Sequence, residues 1–238
     1  MSRNLIIWLI ILIVIIIGFI YLWLNQDEVL KDENKNMNLS NKETIKLPEP
    51  RKDSEVSLEA AINKRSSVRE YSDQEISLKD LSQILWAANG TNEKGSRTAP
   101  SAGALYPIEL YVVGKFENYA AGIYHYQTPN HTLEKIKEGD FLSELSEISL
   151  DQQWIRKAPL NIVVTGVVSR TAEKYRERAE QYVALEAGPV GQNIYLQVSA
   201  LNLGTVSVGA LHDDQMSDFL DFEPSQKAYY IFPIGGLK

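Results

Sequence analysis

The chain has 238 residues, with 31 acidic against 24 basic side chains and a formal net charge of -7. A balance of that sign excludes a general nucleic-acid binder, which must neutralise phosphates along a backbone, and no basic stripe with interleaved aromatics occurs. The absence of cysteine removes disulfides, thiolate metal sites, iron–sulfur clusters and a cysteine nucleophile.

Leu5 to Leu24 is an unbroken apolar run of twenty residues. At helical rise it spans roughly 30 Å, the thickness of a bilayer's hydrocarbon core. Trp8, Tyr21 and Trp23 lie near its ends, where amphipathic rings prefer to sit. The run exceeds the apolar part of a signal peptide, and Asn25-Gln26-Asp27-Glu28 is a poor cleavage site. The reading is an uncleaved N-terminal transmembrane anchor over residues 1–24. Arg3 and the amino terminus favour an extracytoplasmic domain, while Lys31 and Lys35 argue the other way.

Residues 25–54 are polar and rich in Asn, Lys and Glu, with Pro48 and Pro50 near the end. Such a stretch cannot bury enough apolar surface to offset its ordering entropy, so it reads as a disordered linker. The globular domain is expected over 55–238. Ser57 can cap a short helix through Lys64, with Leu58, Ala61 and Ile62 on one face. Ser77-Leu78-Lys79-Asp80 resembles a capping box, and Asn89-Gly90 ends the helix it opens. Residues 91–107 read as a loop, then 108–113, 122–127 and 161–168 as strands. The longest helical signal runs from about 171 to 202, with Val183, Ala187, Val190, Ile194 and Val198 as its inward stripe. Residues 205–208 and 228–232 read as further strands. Helices between strands imply an α+β domain with a central mixed sheet flanked by helices.

Two segments could carry chemistry. Arg65-Ser66-Ser67-Val68-Arg69 offers two guanidiniums and two hydroxyls without a competing acid, and arginine forks match phosphate oxygens. The alternative is a solvated basic helix end. In Arg97 to Pro107, the small residues of Pro100-Ser101-Ala102-Gly103 let a backbone approach a flat ligand closely. A seventeen-residue loop, 91–107, inside a compact domain is uncommon and often functional. His125, His131 and His212 are scattered, without metal-ligand spacing, and neither a phosphate-binding P-loop nor a dinucleotide fingerprint occurs.

In this order the two segments resemble the nitroreductase superfamily, and more closely its SagB/ThcOx-type dehydrogenase branch. The likeness continues through Lys174-Tyr175-Arg176-Glu177-Arg178, Leu185-Glu186-Ala187-Gly188 with Gln192-Asn193, Gly204 to Leu211, and Phe232-Pro233-Ile234-Gly235. The resemblance implies a nitroreductase-like α+β fold and a homodimer with two FMN molecules at the subunit interface. By that likeness Arg65, Ser66, Ser67 and Arg69 would hold the phosphate and ribityl end. Pro100, Ser101, Ala102 and Gly103 would lie along the ring, Gln192 and Asn193 near the pocket, and Val208, Gly209 and Ala210 over it. Lys238 would stand in for a basic residue of longer relatives. Lys174 and Tyr175 match the pair regarded as catalytic in azole-forming members, although on a helix this charged they also read as a solvated face.

One departure is Gly188-Pro189, where relatives usually carry Gly-His. Proline either breaks the long helix or starts a second one at its first position. The implied activity is ping-pong hydride transfer through flavin N5, from NADH, NADPH or another donor to a small conjugated acceptor such as a quinone or nitroaromatic. The alternatives are oxidation of a peptide azoline to an azole, and a tethered, non-catalytic protein that keeps the flavin fold. No metal is expected.

Overall fold

The computed structural model of the chain describes residues 43–238. The expected anchor of residues 1–24 and most of the expected linker lie outside these residues. Among the described residues no helix is long and apolar enough to cross a membrane.

The domain is a three-layer sandwich around one eight-stranded sheet. The strands are β1 (Thr44–Lys46), β2 (Tyr71–Ser72), β3 (Ile108–Phe116), β4 (Tyr119–Gln127), β5 (Thr132–Glu138), β6 (Leu160–Val167), β7 (Leu203–Thr205) and β8 (Gln226–Leu237). Their order is β1-β5-β4-β3-β6-β8-β2, with β7 also on β8. Every pairing is antiparallel, which corrects the expectation of a mixed sheet. The physical reason lies in the connections. β3, β4 and β5 follow one another as hairpins, which reverse the chain and leave no room for the crossover that parallel neighbours need. β6 occupies the centre and is buried at every residue, Asn161 and Thr165 included.

The ordered domain also starts earlier than position 55. Thr44–Lys46 pairs with β5, and Ile45 and Leu47 are buried to 5% and 2% exposure. The Pro48 carbonyl accepts from the Ser82 hydroxyl. Averaged composition hides this, because two apolar side chains in a polar stretch suffice to dock a short edge strand.

Helices α1 (Leu58–Lys64) and α2 (Leu78–Asn89) begin where their serines place them. Ser57 Oγ accepts from Ala60 N at 3.1 Å and Ser77 Oγ from Asp80 N at 3.0 Å. The expected long helix is two. α5 (Val168–Tyr175) ends at Arg176, whose φ of 49° breaks the spiral, and α6 (Ala179–Ala200) follows. α6 runs through Pro189 without a break, so neither expected effect of that proline occurs. α2 and α6 cover one face of the sheet with Leu81, Ile84, Leu85, Val190, Ile194 and Val198. The other face is covered by α3 (Leu142–Ile148), α4 (Gln153–Lys157) and α7 (Asp213–Leu220). Strand alternation divides β3 between the two cores, with Leu110 and Val112 in one and Tyr111 and Val113 in the other.

Candidate functional site

The Arg65–Arg69 segment leaves α1 in extended form and is fixed by its backbone. Val68 N donates to Thr205 O at 2.8 Å, and Tyr71 Oη donates to Val68 O at 2.8 Å. The Val68 side chain lies against Gly204, where an added Cβ would meet Val68 Cγ1 at 2.7 Å. Extended backbone alternates its side chains, so Arg65, Ser67 and Arg69 share one side. Ser66 instead lines a crevice with Val68, Leu203 and Leu237, away from Ser67.

Each arginine rests on an aromatic ring. Arg65 lies 5.1 Å from the centroid of Tyr195, and Arg69 lies 5.3 Å from that of Trp154 on α4. Among the described residues no carboxylate pairs with either guanidinium. Ser67 Oγ is 3.2 Å from Tyr195 Oη, which also accepts from Ser207 N at 2.8 Å. Lys238 follows the β8 residue that pairs with Tyr71, and its ammonium is 3.9 Å from Glu70. The expected cradle, Lys238 and the turn at Val208 are thus neighbours. Val208 itself is buried and bonds both ways with Ile231, whereas Gly209 and Ala210 are exposed.

A second cluster forms around Gly103. This residue has φ 65°, and Ala104 and Tyr106 follow with 54° and 50°, so the turn is left-handed at three positions. Ser101 Oγ accepts from Tyr106 N at 2.9 Å, and Arg170 donates to Tyr106 O at 3.3 Å. A Cβ on Gly103 would lie 3.0 Å from Lys174 Nζ and 3.1 Å from Tyr175 Oη. The small-residue loop and the Lys174-Tyr175 pair therefore meet. Tyr175 stacks edge-on against Tyr182 at 4.7 Å. Under the loop, Glu186 on α6 is buried to 6% exposure. Burial raises its carboxyl to about 7, and hydrogen bonds from the Ser101 hydroxyl and the Ala102 amide work the other way.

The two clusters flank α6 on opposite sides. Glu186 and Tyr195 are nine residues apart on this helix, which at 3.6 residues per turn puts them about half a turn out of phase. Gln192 is exposed. Asn193 faces a groove with Leu58, Ala61, Trp86 and Thr98, joining neither cluster. Tyr195 went unnoticed in the sequence, and Glu186 and Ser207 stood inside family-like motifs without a role of their own. A polar Glu at a position flanked by the apolar stripe was the one available signal.

An antiparallel sheet between two helical layers, matched by a solved nitroreductase structure, is a nitroreductase-like α+β fold. The chain belongs to the nitroreductase family, whose model matches residues 62–236. It is 39% identical over 183 residues to MJ1384 of Methanocaldococcus jannaschii, named as a nitroreductase, covering 76% of this chain and 91% of that one. A solved structure described as a nitroreductase from Ralstonia eutropha JMP134 superposes with a TM-score of 0.74 at 31% identity, covering 82% of this chain and 90% of that one. The microcin B17-processing protein McbC of Escherichia coli is 29% identical over 136 residues, 54% of this chain and 50% of McbC. The protein is thus a nitroreductase-family oxidoreductase related to the SagB-like processing enzymes.

Proposed function

We propose that this protein is a membrane-anchored, FMN-dependent oxidoreductase that works as a homodimer. The observation that carries the reading is the unpaired Arg65 and Arg69, each propped on an aromatic face, with the Ser67 hydroxyl bonded to the tyrosine under Arg65. Two cations on the same side of one extended segment, without a carboxylate, offer donors that an anion can complete. A phosphomonoester fits that donor set, and the small residues at 100–103 suit the approach of a flat ring.

The opposite flanks support pairing of two copies, in which the phosphate cradle of one chain faces the Gly103 loop of the other. Leu58 and Ile62 on α1 are 62% and 53% exposed, and Leu185 on α6 is 61% exposed. Helix faces of this kind are what a dimer buries. The apolar run Leu5–Leu24 supports the anchor, and the residues flanking it lean toward an extracytoplasmic domain.

When bound, FMN supplies an atom, N5, that takes hydride from a donor such as NADH or NADPH and passes it to a conjugated acceptor in the same slot. In this reading Arg65, Ser67, Arg69 and Lys238 hold the phosphate end, with Gly209 and Ala210 nearby. Ser101 to Gly103 offer backbone donors beside the ring, and Lys174 and Tyr175 stand where an acceptor would enter.

A second reading is oxidation of a peptide azoline to an azole. The contact of Lys174 and Tyr175 with Gly103 favours it, as does the similarity to McbC. Here Tyr175 and Lys174 would handle the substrate proton. Full-length protein purified from membranes in detergent tests both readings. A yellow protein with about one FMN per chain, bleached anaerobically by NADH or NADPH, supports the first. A colourless protein that takes up no added FMN sinks both. Conversion of an azoline peptide, lost in Lys174→Met while nicotinamide oxidation persists, selects the second. Deletion of residues 5–24 should move the protein into the soluble fraction.

A further inference from the structure

Tyr195 is buried to 8% exposure and belongs to none of the family-like motifs. Its ring stands edge-on to Phe232 at 5.7 Å and 89°, which fixes its plane. Its hydroxyl joins its own helix to the neighbouring Ser207 turn and to Ser67, 128 residues away in the chain. Ser207 N donates to it at 2.8 Å, Ser67 Oγ is 3.2 Å away, and Ser207 Oγ is 3.4 Å away. Arg65 lies over the face of the same ring.

A phenol has one proton to give and two lone pairs. The Ser207 amide fills one lone pair. The phenol proton has two acceptors in reach, Ser207 Oγ at 3.4 Å and Ser67 Oγ at the shorter 3.2 Å; when it goes to Ser67 Oγ, that serine keeps its own proton free for an outside acceptor. Ser67 and Ser207 are both exposed, so the acceptor can be a ligand. Burial raises the phenol, but the bonds with Ser207 and Ser67 and the charge of Arg65 outweigh it and hold it below its ordinary range. The hydroxyl is therefore surrounded by an amide donor, two serine hydroxyls and a cation, with no carboxylate among its partners.

We propose that Tyr195 is the positioning residue of a phosphomonoester subsite, turning the Ser67 hydroxyl and the Arg65 guanidinium outward toward the same anionic group. This rests on the FMN reading above and extends it. The flavin's phosphate end would be sensed by a residue that does not touch it.

The test uses the full chain stripped of flavin and titrated with FMN and with riboflavin, which lacks the phosphate, following quenching of flavin fluorescence. Tyr195→Phe keeps the ring, the Phe232 contact and the Arg65 stacking. It should weaken FMN about tenfold, the scale of one hydrogen-bond hub, and leave riboflavin within about twofold. A purely structural tyrosine would weaken both flavins alike, and that result, or no change in either, overturns the proposal. Ser67→Ala should lose the same preference, and adding it to Tyr195→Phe should cost little more. Additive losses overturn the link through Ser67. Should Tyr195→Phe not fold, an unchanged FMN-over-riboflavin preference in Ser67→Ala overturns the proposal by itself. Wild-type protein that binds neither flavin removes the FMN reading and this inference together. Wild-type preference for FMN that survives in Tyr195→Phe removes the inference alone.

Discussion

Gly103 and Lys174 lie side by side, so close that a Cβ on the glycine would stand 3.0 Å from the lysine ammonium and push it back by a few tenths of an ångström. Gly103→Ala therefore meets two penalties, the left-handed φ of 65° and displacement of Lys174 and Tyr175. The backbone term is about 1–2 kcal/mol, which lowers the melting temperature by about 2–4 °C per kcal/mol in a domain of this size. Activity should fall by more than the stability loss explains, because the lysine tip moves. A variant with wild-type turnover would show that the contact has no part in the chemistry.

Glu186 sets a pH dependence. Its folded value of about 7 lies above the ordinary 4.5, so folding favours the neutral acid. The stabilisation is complete below about pH 4.5 and is lost as pH rises through about 7. Unfolding midpoints in urea should fall between pH 5 and pH 8 by the equivalent of about 1–2 kcal/mol. Glu186→Gln, neutral at every pH, should flatten that slope. An identical slope in both proteins would assign the dependence elsewhere.

Arg170 fastens α5 to the sheet. It donates to one oxygen of Glu109, whose other oxygen meets His125 Nε2 at 2.9 Å. Burial raises the Glu109 carboxyl, but His125 and Arg170 together hold it below the usual range. Its contribution is present above about pH 4.5 and is lost as pH falls through the depressed value. Arg170→Ala should cost about 1–3 kcal/mol at pH 7 and less in acid, read from urea midpoints. It also frees the Tyr106 carbonyl, so the Gly103 loop should exchange its amide hydrogens faster.

Pro189 sits in an unbroken helix, where it removes the N–H that the Leu185 carbonyl would accept. Pro189→Ala should stabilise the protein by about 1–3 kcal/mol, seen as a higher melting temperature. A lower one would mean that the ring fills a contact more valuable than the lost bond.

Leu58 tests the proposed dimer. Leu58→Asp puts a charge on an exposed apolar helix face and should shift sedimentation from dimer to monomer at micromolar concentration, with FMN affinity falling in parallel. Unchanged sedimentation would place the subunit interface elsewhere.

Local chemistry was legible in the sequence. Ser57 and Ser77 announced their helices, and the period of Val190, Ile194 and Val198 announced the core face of α6. The docked strand at Thr44–Lys46, the break at Arg176 and the wholly antiparallel sheet were not legible. Each depends on what a segment meets, and a polar edge strand or a single left-handed residue leaves almost no periodic trace.

The sequence by itself determined which residue types are present for chemistry: paired arginines with serines, a glycine loop, a Lys-Tyr pair, and an apolar run of bilayer length. Only the tertiary structure decided their neighbours. Ser67 and Tyr195 are 128 residues apart in the chain and 3.2 Å apart in space, and Ser66 turns away from the serine beside it. The reason is that capping and periodicity act within a few residues, whereas a site is made by side chains that packing of the sheet and α6 brings together from distant segments.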